Sequence, residues 1–267
     1  QGYVRDEPYT QEASMPERTS YAPGTPAWID IGTDVDAAAA FYTALFGWTL
    51  VSAGPDAGGY GFFTNAAGKL IAGVGPQQSP GPPFWSHYVS VADVDETATK
   101  VSAAGGTVVV PPMDVMDAGR MAVFQDTEGA FFSGWQPGAT IGCEVVNEPG
   151  AFCWTELNTR DPEAAKAFYP QVFDWGVHTS AGPMEYSEWQ LGGESIGGMM
   201  AMPPMVPAEV PPYWLVYFAV TDTDATVADA KALGAMAMVE GMDTPAGRLA
   251  VLADPQGAAF AVITMNM

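Results

Sequence analysis

Three ionisable side chains recur at one place in this chain. Asp30, His87 and Glu156 each stand two residues after a tryptophan that opens a short alternating run, and the fourth copy of the run has Val216 there. The runs read AWIDIGTDVDAAAAFY from Ala27, FWSHYVSVADVDETA from Phe84, CWTELNTRDPEAAKAFY from Cys153 and YWLVYFAVTDTDATV from Tyr213. A carboxylate that orients an imidazole is a usable general base near neutral pH. Asp30 with His87 could therefore abstract a proton or hold a phenol or amine; the same pair could also be a buried polar bridge between strands. Glu156 has no His partner. In an apolar cup it would take up a proton or attract a cationic ligand, or it could bond to nearby backbone. Strand alternation places Trp28, Trp85, Trp154 and Trp214 on the same face as their varied partners. Those tryptophans either fill a core or make a stacking wall for a flat aromatic or cationic ligand. Tyr186, Trp189 and the pliable GGMMAMPPM stretch, Met199 included, extend that wall or pack as core.

The elements that would position these residues repeat as well. AAAAFYTALFGW (Ala37 to Trp48) returns as AAKAFYPQVFDW (Ala164 to Trp175). DAGRMAVFQDTEGAFF (Asp117 to Phe132) returns as PAGRLAVLADPQGAAF (Pro245 to Phe260). Two different units recurring at nearly one offset mean a duplication across almost the whole chain. Each half divides again at its internal tryptophan run. Each quarter starts with a period-two strand, as Trp28, Asp30 and Gly32 alternate with Ile29 and Ile31. An acidic helix start follows, Thr33-Asp34 or Asp161-Pro162, where a side-chain oxygen can accept free backbone N–H groups. Val35, Ala38, Tyr42 and Leu45 then fall at helical spacing, Pro170 should bend or shorten the third helix, and Gly105 and Gly234 stop the second and fourth. About three strands follow, separated by the turns TNAAG, DTEG and DPQG. The predicted order is strand, helix, three strands, four times over.

Pro-rich joints set the expected boundaries. Residues 1–20 read as a tag or disordered tail, with Met15 a plausible natural start. A first domain covers 21–137, as modules 21–80 and 81–137, and a second covers 138–267, as modules 150–205 and 211–267. Arg120 and Arg248 hold one repeat position, each six residues before an aspartate, and are expected to brace Asp126 and Asp254. Anion recognition is the other reading of those arginines.

Composition removes several functions. Nine basic residues against 31 acidic ones give a net charge of −22, the wrong sign for phosphate backbones or anionic membrane surfaces. A cationic or neutral small molecule suits that field, although solubility alone would also account for it. No apolar run reaches the roughly 18 residues of a membrane helix, and no secretory signal is visible. Cys143 and Cys153 make no CxxC or zinc pattern. Two cysteines suggest a reducing compartment, hence a cytoplasmic protein.

Duplicated strand–helix–three-strand modules, with FY…LFGW in the helix and D-P-x-G before the last strand, resemble the vicinal oxygen chelate superfamily. That superfamily includes glyoxalase I, extradiol dioxygenases and bleomycin-resistance proteins. The W-x-D/E-L/I-x-T opening and the AGR hairpin look like its two-domain, hydroxylase-named branch. The resemblance implies an α+β fold: four βαβββ modules in two tandem domains, each a curved mixed sheet forming an open cup with helices outside. It also implies small-molecule binding within the cup, often with a divalent metal. Metal-using members place His, Gln or Glu near each first strand and Glu in each last strand, where this chain has Ser133 and Ala261. LIAGVG and SIGGMM, which end the first and third modules, add no carboxylate, and His178 looks like a surface residue. The expected cofactor is therefore none, with a divalent metal as the disfavoured alternative, which counts against glyoxalase and ring-cleaving chemistry. The expectation is a metal-independent binder of a flat aromatic or amine-bearing metabolite or antibiotic, as monomer or homodimer. The alternative is an enzyme acting on an aromatic or carbonyl metabolite through Asp30 and His87.

Overall fold

The computed structural model describes residues 17–78, 80–180, 185–204 and 206–266. The first module is β1 (Pro26–Thr33), α1 (Val35–Phe46), β2 (Thr49–Ser52), β3 (Gly61–Thr64) and β4 (Leu70–Pro76). The second is β5 (Trp85–Ser90), α2 (Val94–Ala103), β6 (Thr107–Val115), β7 (Gly119–Gln125) and β8 (Phe131–Pro137). The third is β9 (Phe152–Thr159), α3 (Pro162–Phe173), β10 (Gly176–Ser180), β11 (Tyr186–Leu191) and β12 (Glu194–Ala201). The fourth is β13 (Tyr213–Ala219), α4 (Thr223–Ala232), β14 (Met236–Thr244), β15 (Gly247–Ala253) and β16 (Ala259–Met265). The four-fold strand–helix–three-strand order is thus the order observed. Among the described residues, no helix is long and apolar enough to cross a membrane.

Modules join in pairs into two eight-stranded mixed sheets, β2-β3-β4-β1-β5-β8-β7-β6 and β10-β11-β12-β9-β13-β16-β15-β14. Within a module the first and last strands run parallel, while the seams β1–β5 and β9–β13 are antiparallel. The chain is therefore α+β with two tandem domains, one per sheet.

Helix ends follow the local chemistry. Asp34, Asp93, Asp161 and Asp222 each cap a helix by accepting backbone N–H groups of its first turn. Gly105 and Gly234 adopt positive φ just past α2 and α4. Pro170 does not shorten its helix: α3 runs 12 residues, the same as α1. A proline removes one backbone donor, and here the loss is offset by the burial of Phe168, Tyr169, Val172 and Phe173 around it. Residues 1–16 of the expected tail lie outside the described residues. Glu17 bridges to Val145, and Arg18 donates its backbone N–H to Glu144.

The cores cross the domain boundary. One cluster joins Phe41, Tyr42, Trp48 and Phe63 of the first module to Phe218, Leu252 and Phe260 of the fourth. Another joins Phe124 and Phe132 of the second module to Phe168, Tyr169 and Trp175 of the third. Sheets therefore pair modules one with two and three with four, whereas cores pair one with four and two with three. Two polar links fix this crossing. The Tyr42 hydroxyl donates to Asp254 at 3.0 Å, and the Tyr169 hydroxyl donates to Asp126 at 2.9 Å. Trp85 Nε1 in turn donates to Tyr42 Oη, and Trp214 Nε1 to Tyr169 Oη, each at 2.9 Å.

That arrangement corrects the expected arginine braces. Asp126 and Asp254 are buried and engaged by tyrosine and backbone donors, out of reach for an exposed guanidinium. Arg120 instead pairs with Asp95 and Asp114, and Arg248 with Asp224 and Asp243. Each arginine ties the first turn of its helix to the following hairpin. Both are solvent-facing and draw little stability from the pairing.

Candidate functional site

The register of the β1–β5 seam decides which side chains enter the first cup. Residues directly opposite in an antiparallel pair share a face. Asp30 lies opposite Ser86 and Trp28 opposite Tyr88, whereas Ile29 lies opposite His87 and Ile31 opposite Trp85. Asp30 and His87 therefore project from opposite faces, and the structure does not bring them together. His87 is 1 % exposed, lies against Trp214 with ring centroids 4.3 Å apart, and among the described residues has no hydrogen-bond partner at either nitrogen. Burial pushes its pKa down to about 3. An acid–base pair with Asp30 is excluded by this geometry, and so is the polar bridge.

The second seam behaves alike. Glu156 lies opposite Leu215, Trp154 opposite Tyr217, and Trp214 opposite Leu157. The four tryptophans thus divide by face. Trp28, itself buried, and Trp154 share a face with their acids, while Trp85 and Trp214 project from the other face, against Phe218 and His87 of the opposite domain. Trp189 is fully buried and Met199 nearly so, both in the core cluster that holds Trp214. For Trp85, Trp214, Trp189 and Met199 the ligand-wall expectation is corrected to the packing one. Met205, at the end of the Met-rich stretch, lies outside the described residues.

What the structure does gather is a tyrosine-bound carboxylate in each cup. Tyr60 donates its hydroxyl to Asp30 Oδ2 at 3.0 Å, and Tyr88 donates to the same oxygen at 2.9 Å. The Ser86 hydroxyl is a third partner. Trp28 Nε1 reaches Tyr60 Oη at 3.4 Å from behind. In the second cup Tyr186, Tyr217 and Asn158 are the partners of Glu156, and Trp154 Nε1 donates to Tyr186 Oη at 3.0 Å. Burial pushes the Asp30 and Glu156 carboxyls above the ordinary range, and the phenol hydrogen bonds partly oppose the rise. The tyrosine hydroxyls are pushed up by burial and by the neighbouring acid, so they stay protonated donors.

Glycine makes the arrangement possible. Tyr60 lies across Gly73, whose Cβ position would collide with the phenol oxygen, and Tyr186 lies across Gly198 in the same way. The first cup opens to a cavity of about 310 Å³ lined by Asp30, Gly32, Tyr60, Gly75, Phe84 and Tyr88, among others.

Sequence reading found Asp30, Trp28, Glu156 and Trp154 but missed Tyr60, Tyr88 and Tyr217. A signal for two of these was present. Asp30, Tyr88, Glu156 and Tyr217 each stand four or five residues before their helix cap, at Asp34, Asp93, Asp161 and Asp222. Alignment on the caps, instead of the tryptophans, brings the four cup residues together. Nothing local marks Tyr60.

Among the described residues, no three His, Cys, Asp or Glu side chains come together. His178 is exposed on β10. Cys143 is buried, its thiol donating to the Ile71 carbonyl at 3.0 Å, and Cys153 is half-buried; both thiols are free.

Two cups, each assembled from paired βαβββ modules around a carboxylate, define a tandem glyoxalase-like protein. The sequence pattern of the Glyoxalase/Bleomycin resistance protein/Dioxygenase superfamily matches residues 31–133, and that of a glyoxalase-like domain matches residues 154–263. The chain belongs to this superfamily. It is 43 % identical over 261 residues to "Putative glyoxylase CFP32" of Mycobacterium tuberculosis (strain CDC 1551 / Oshkosh), covering 93 % of this chain and 98 % of that one. It is 42 % identical over 270 residues to "Anthracycline biosynthesis protein DnrV" of Streptomyces peucetius, covering 93 % and 96 %. The fold is similar to the Mn(II)-bound glyoxalase of Novosphingobium aromaticivorans, with a TM-score of 0.63 at 16 % identity over 91 % of this chain and 82 % of that chain. It is equally similar to the 2,3-dioxygenase LapB of Pseudomonas sp. KL28, with a TM-score of 0.63 at 10 % identity, covering 91 % and 92 %.

Proposed function

We propose that the first cup binds a flat aromatic small molecule carrying an O–H or N–H donor, and that Asp30 receives that donor. The observation that carries this reading is the Asp30 carboxylate on the wall of the cavity of about 310 Å³. Tyr60 and Tyr88 both hold Oδ2, which fixes the carboxylate and leaves it acceptor capacity. Phe84, Tyr60 and Tyr88 supply aromatic surface beside it. The net charge of −22 favours a neutral or cationic ligand over an anionic one. Two Streptomyces relatives are named for anthracycline biosynthesis. Anthracyclines are planar, phenolic and amine-bearing, which supports the same ligand class.

The reading is metal-independent. It is supported by the donor set around Asp30: two phenols and a serine hydroxyl beside a single carboxylate. Such neutral oxygens hold a divalent ion poorly. Affinity for an aromatic probe is therefore expected to be the same in EDTA and in added Mn²⁺, measured by calorimetry. Mn²⁺-dependent binding would overturn the metal-free reading.

Titration of 1,4-dihydroxyanthraquinone and of proflavine against the parent, Asp30→Asn and His87→Leu tests the site. Losing a charge-assisted bond costs about 1.5–3 kcal/mol, so Asp30→Asn should weaken binding by roughly tenfold or more. His87→Leu should leave it unchanged, because His87 faces the core. Affinity for a donor ligand should also fall as pH drops through the raised Asp30 pKa, since protonation removes the acceptor charge. Equal affinity in parent and Asp30→Asn would sink the assignment. A second reading, favoured by the same phenol-held carboxylate, is proton abstraction by Asp30 from a carbonyl compound. Turnover lost in Asp30→Asn with binding retained would select it.

A further inference from the structure

The two cups are copies that differ at a register-matched pair of positions. In the first, Asp30 sits beside Gly73 and Gly32 beside Gly75. In the second, Glu156 sits beside Gly198 but Asn158 sits beside Met200. The glycine under the tyrosine is kept in both. The next pair along the strands is two glycines in one cup and two side chains in the other. Opposite the acid, Ser86 of the first cup is replaced by Leu215.

These differences fall where the cavity is. Gly32, Gly75 and Ser86 all line the open first cup. A Cβ at Gly75 would approach Tyr60 Cδ2 to 2.8 Å, so the ring lies flat only because no side chain is there. A Cβ at Gly32 would meet nothing nearer than Gln77 Cα at 3.6 Å, so a side chain there would extend into open space. In the second cup Asn158 is 6 % exposed, and its amide donates to Glu156 Oε1 at 3.3 Å. Glu156 is itself only 6 % exposed. Both acids have three side-chain partners; what differs is that one of Glu156's is the buried Asn158 amide, whereas Asp30 lines a cavity.

We infer that the pair Gly32 and Gly75 determines which cup takes a ligand, and that the second cup is a closed copy sealed by Asn158, Met200 and Leu215. This rests on the reading that the first cup binds. The chain then takes one ligand, although it carries two acid–tyrosine clusters. Side chains at positions 32 and 75 also set how deep a planar ligand reaches toward Tyr60.

The test uses the full chain in three forms: parent, Gly32→Asn, and the opened Asn158→Gly/Met200→Gly double variant. Binding of 1,4-dihydroxyanthraquinone is counted by calorimetry. Carboxyl accessibility is read separately, by carbodiimide labelling with glycine ethyl ester and peptide mass spectrometry. The parent should bind one equivalent. Gly32→Asn, chosen because its Cβ is unhindered, should weaken that site by about tenfold or more. The opened variant should bind a second equivalent and label Glu156 several-fold faster, with Asp30 unchanged. Two equivalents in the parent, or Glu156 labelling that does not rise in the opened variant, would overturn the inference. If the parent binds no probe, the proposed function fails on that result, and the Glu156 labelling contrast still decides whether the second cup is closed.

Discussion

Asp126→Ala is expected to destabilise the protein by about 3–5 kcal/mol, the largest effect of any single substitution considered. The Asp126 carboxylate is 5 % exposed. It accepts the backbone N–H groups of Glu128 and Ala130, each at 2.9 Å, and the Tyr169 hydroxyl at 2.9 Å. Alanine would leave those donors without their acceptor, and an unsatisfied buried donor costs about 1–3 kcal/mol. Two of the donors shape the turn before β8, and the third comes from α3 of the other domain. The substitution therefore loosens a hairpin and an interdomain contact together. Asp254→Ala should behave alike, since Asp254 accepts from Gln256, Ala258 and Tyr42. Tyr169→Phe should cost less, because the two backbone bonds that shape the turn survive, although the bond from Trp214 Nε1 is lost along with the one to Asp126. Urea unfolding of Asp126→Ala, Tyr169→Phe and the double variant would measure the coupling. Additive losses would show that the cross-domain bond does not link the two domains energetically.

His87→Leu is expected to stabilise the protein, and the gain should grow as pH falls. Folded His87 takes a proton only near pH 3, against 6.5 as its ordinary value. Across that window the unfolded chain binds more protons than the folded one. The contribution of the neutral, buried imidazole is therefore fully present above about pH 6.5 and is lost as pH falls toward 3, by up to about 1.4 kcal/mol per pH unit. Leucine abolishes the loss. Near neutrality it should also add about 1–2 kcal/mol, because it removes two buried nitrogens without partners from beside Trp214. The buried carboxyls Asp30, Asp126 and Glu156 are raised and act in the opposite sense, so the informative quantity is the difference between variant and parent from pH 7 to 4. Parallel stability curves would show that His87 is solvated in the folded state.

Much of the fold was legible because it is written four times in local chemistry. Each helix has an aspartate cap, each late hairpin has its turn residues, and the first strand of the first module alternates with period two. These signals act over a few residues and survive whatever the rest of the chain does. The duplication then gave the domain pairing, and Asp30 and Glu156 stood out as the varied positions of an otherwise repeated run. The arginines show the limit of that reasoning. Arg120 and Arg248 were placed correctly as a repeat, but their partners are the aspartates of the helix start and of the preceding strand, brought near by a hairpin that folds back.

The amino-acid sequence by itself determined the module count, the α+β class, the acidic helix starts, the stops of the second and fourth helices and the acids of the two cups. Only the tertiary structure decided which face each strand presents. Alternation establishes that Trp85 and His87 share a side, but a period of two cannot say whether that side is cup or core. That choice was made by the β1–β5 register, with Asp30 opposite Ser86, and by the packing of residues from the two sheets into shared cores. The same packing carried Tyr42 to Asp254 and Tyr169 to Asp126 across the domain boundary. It also laid the Tyr60 ring across Gly75 and left open the space over Gly32, which a strand pattern alone could not distinguish from weak points in a sheet.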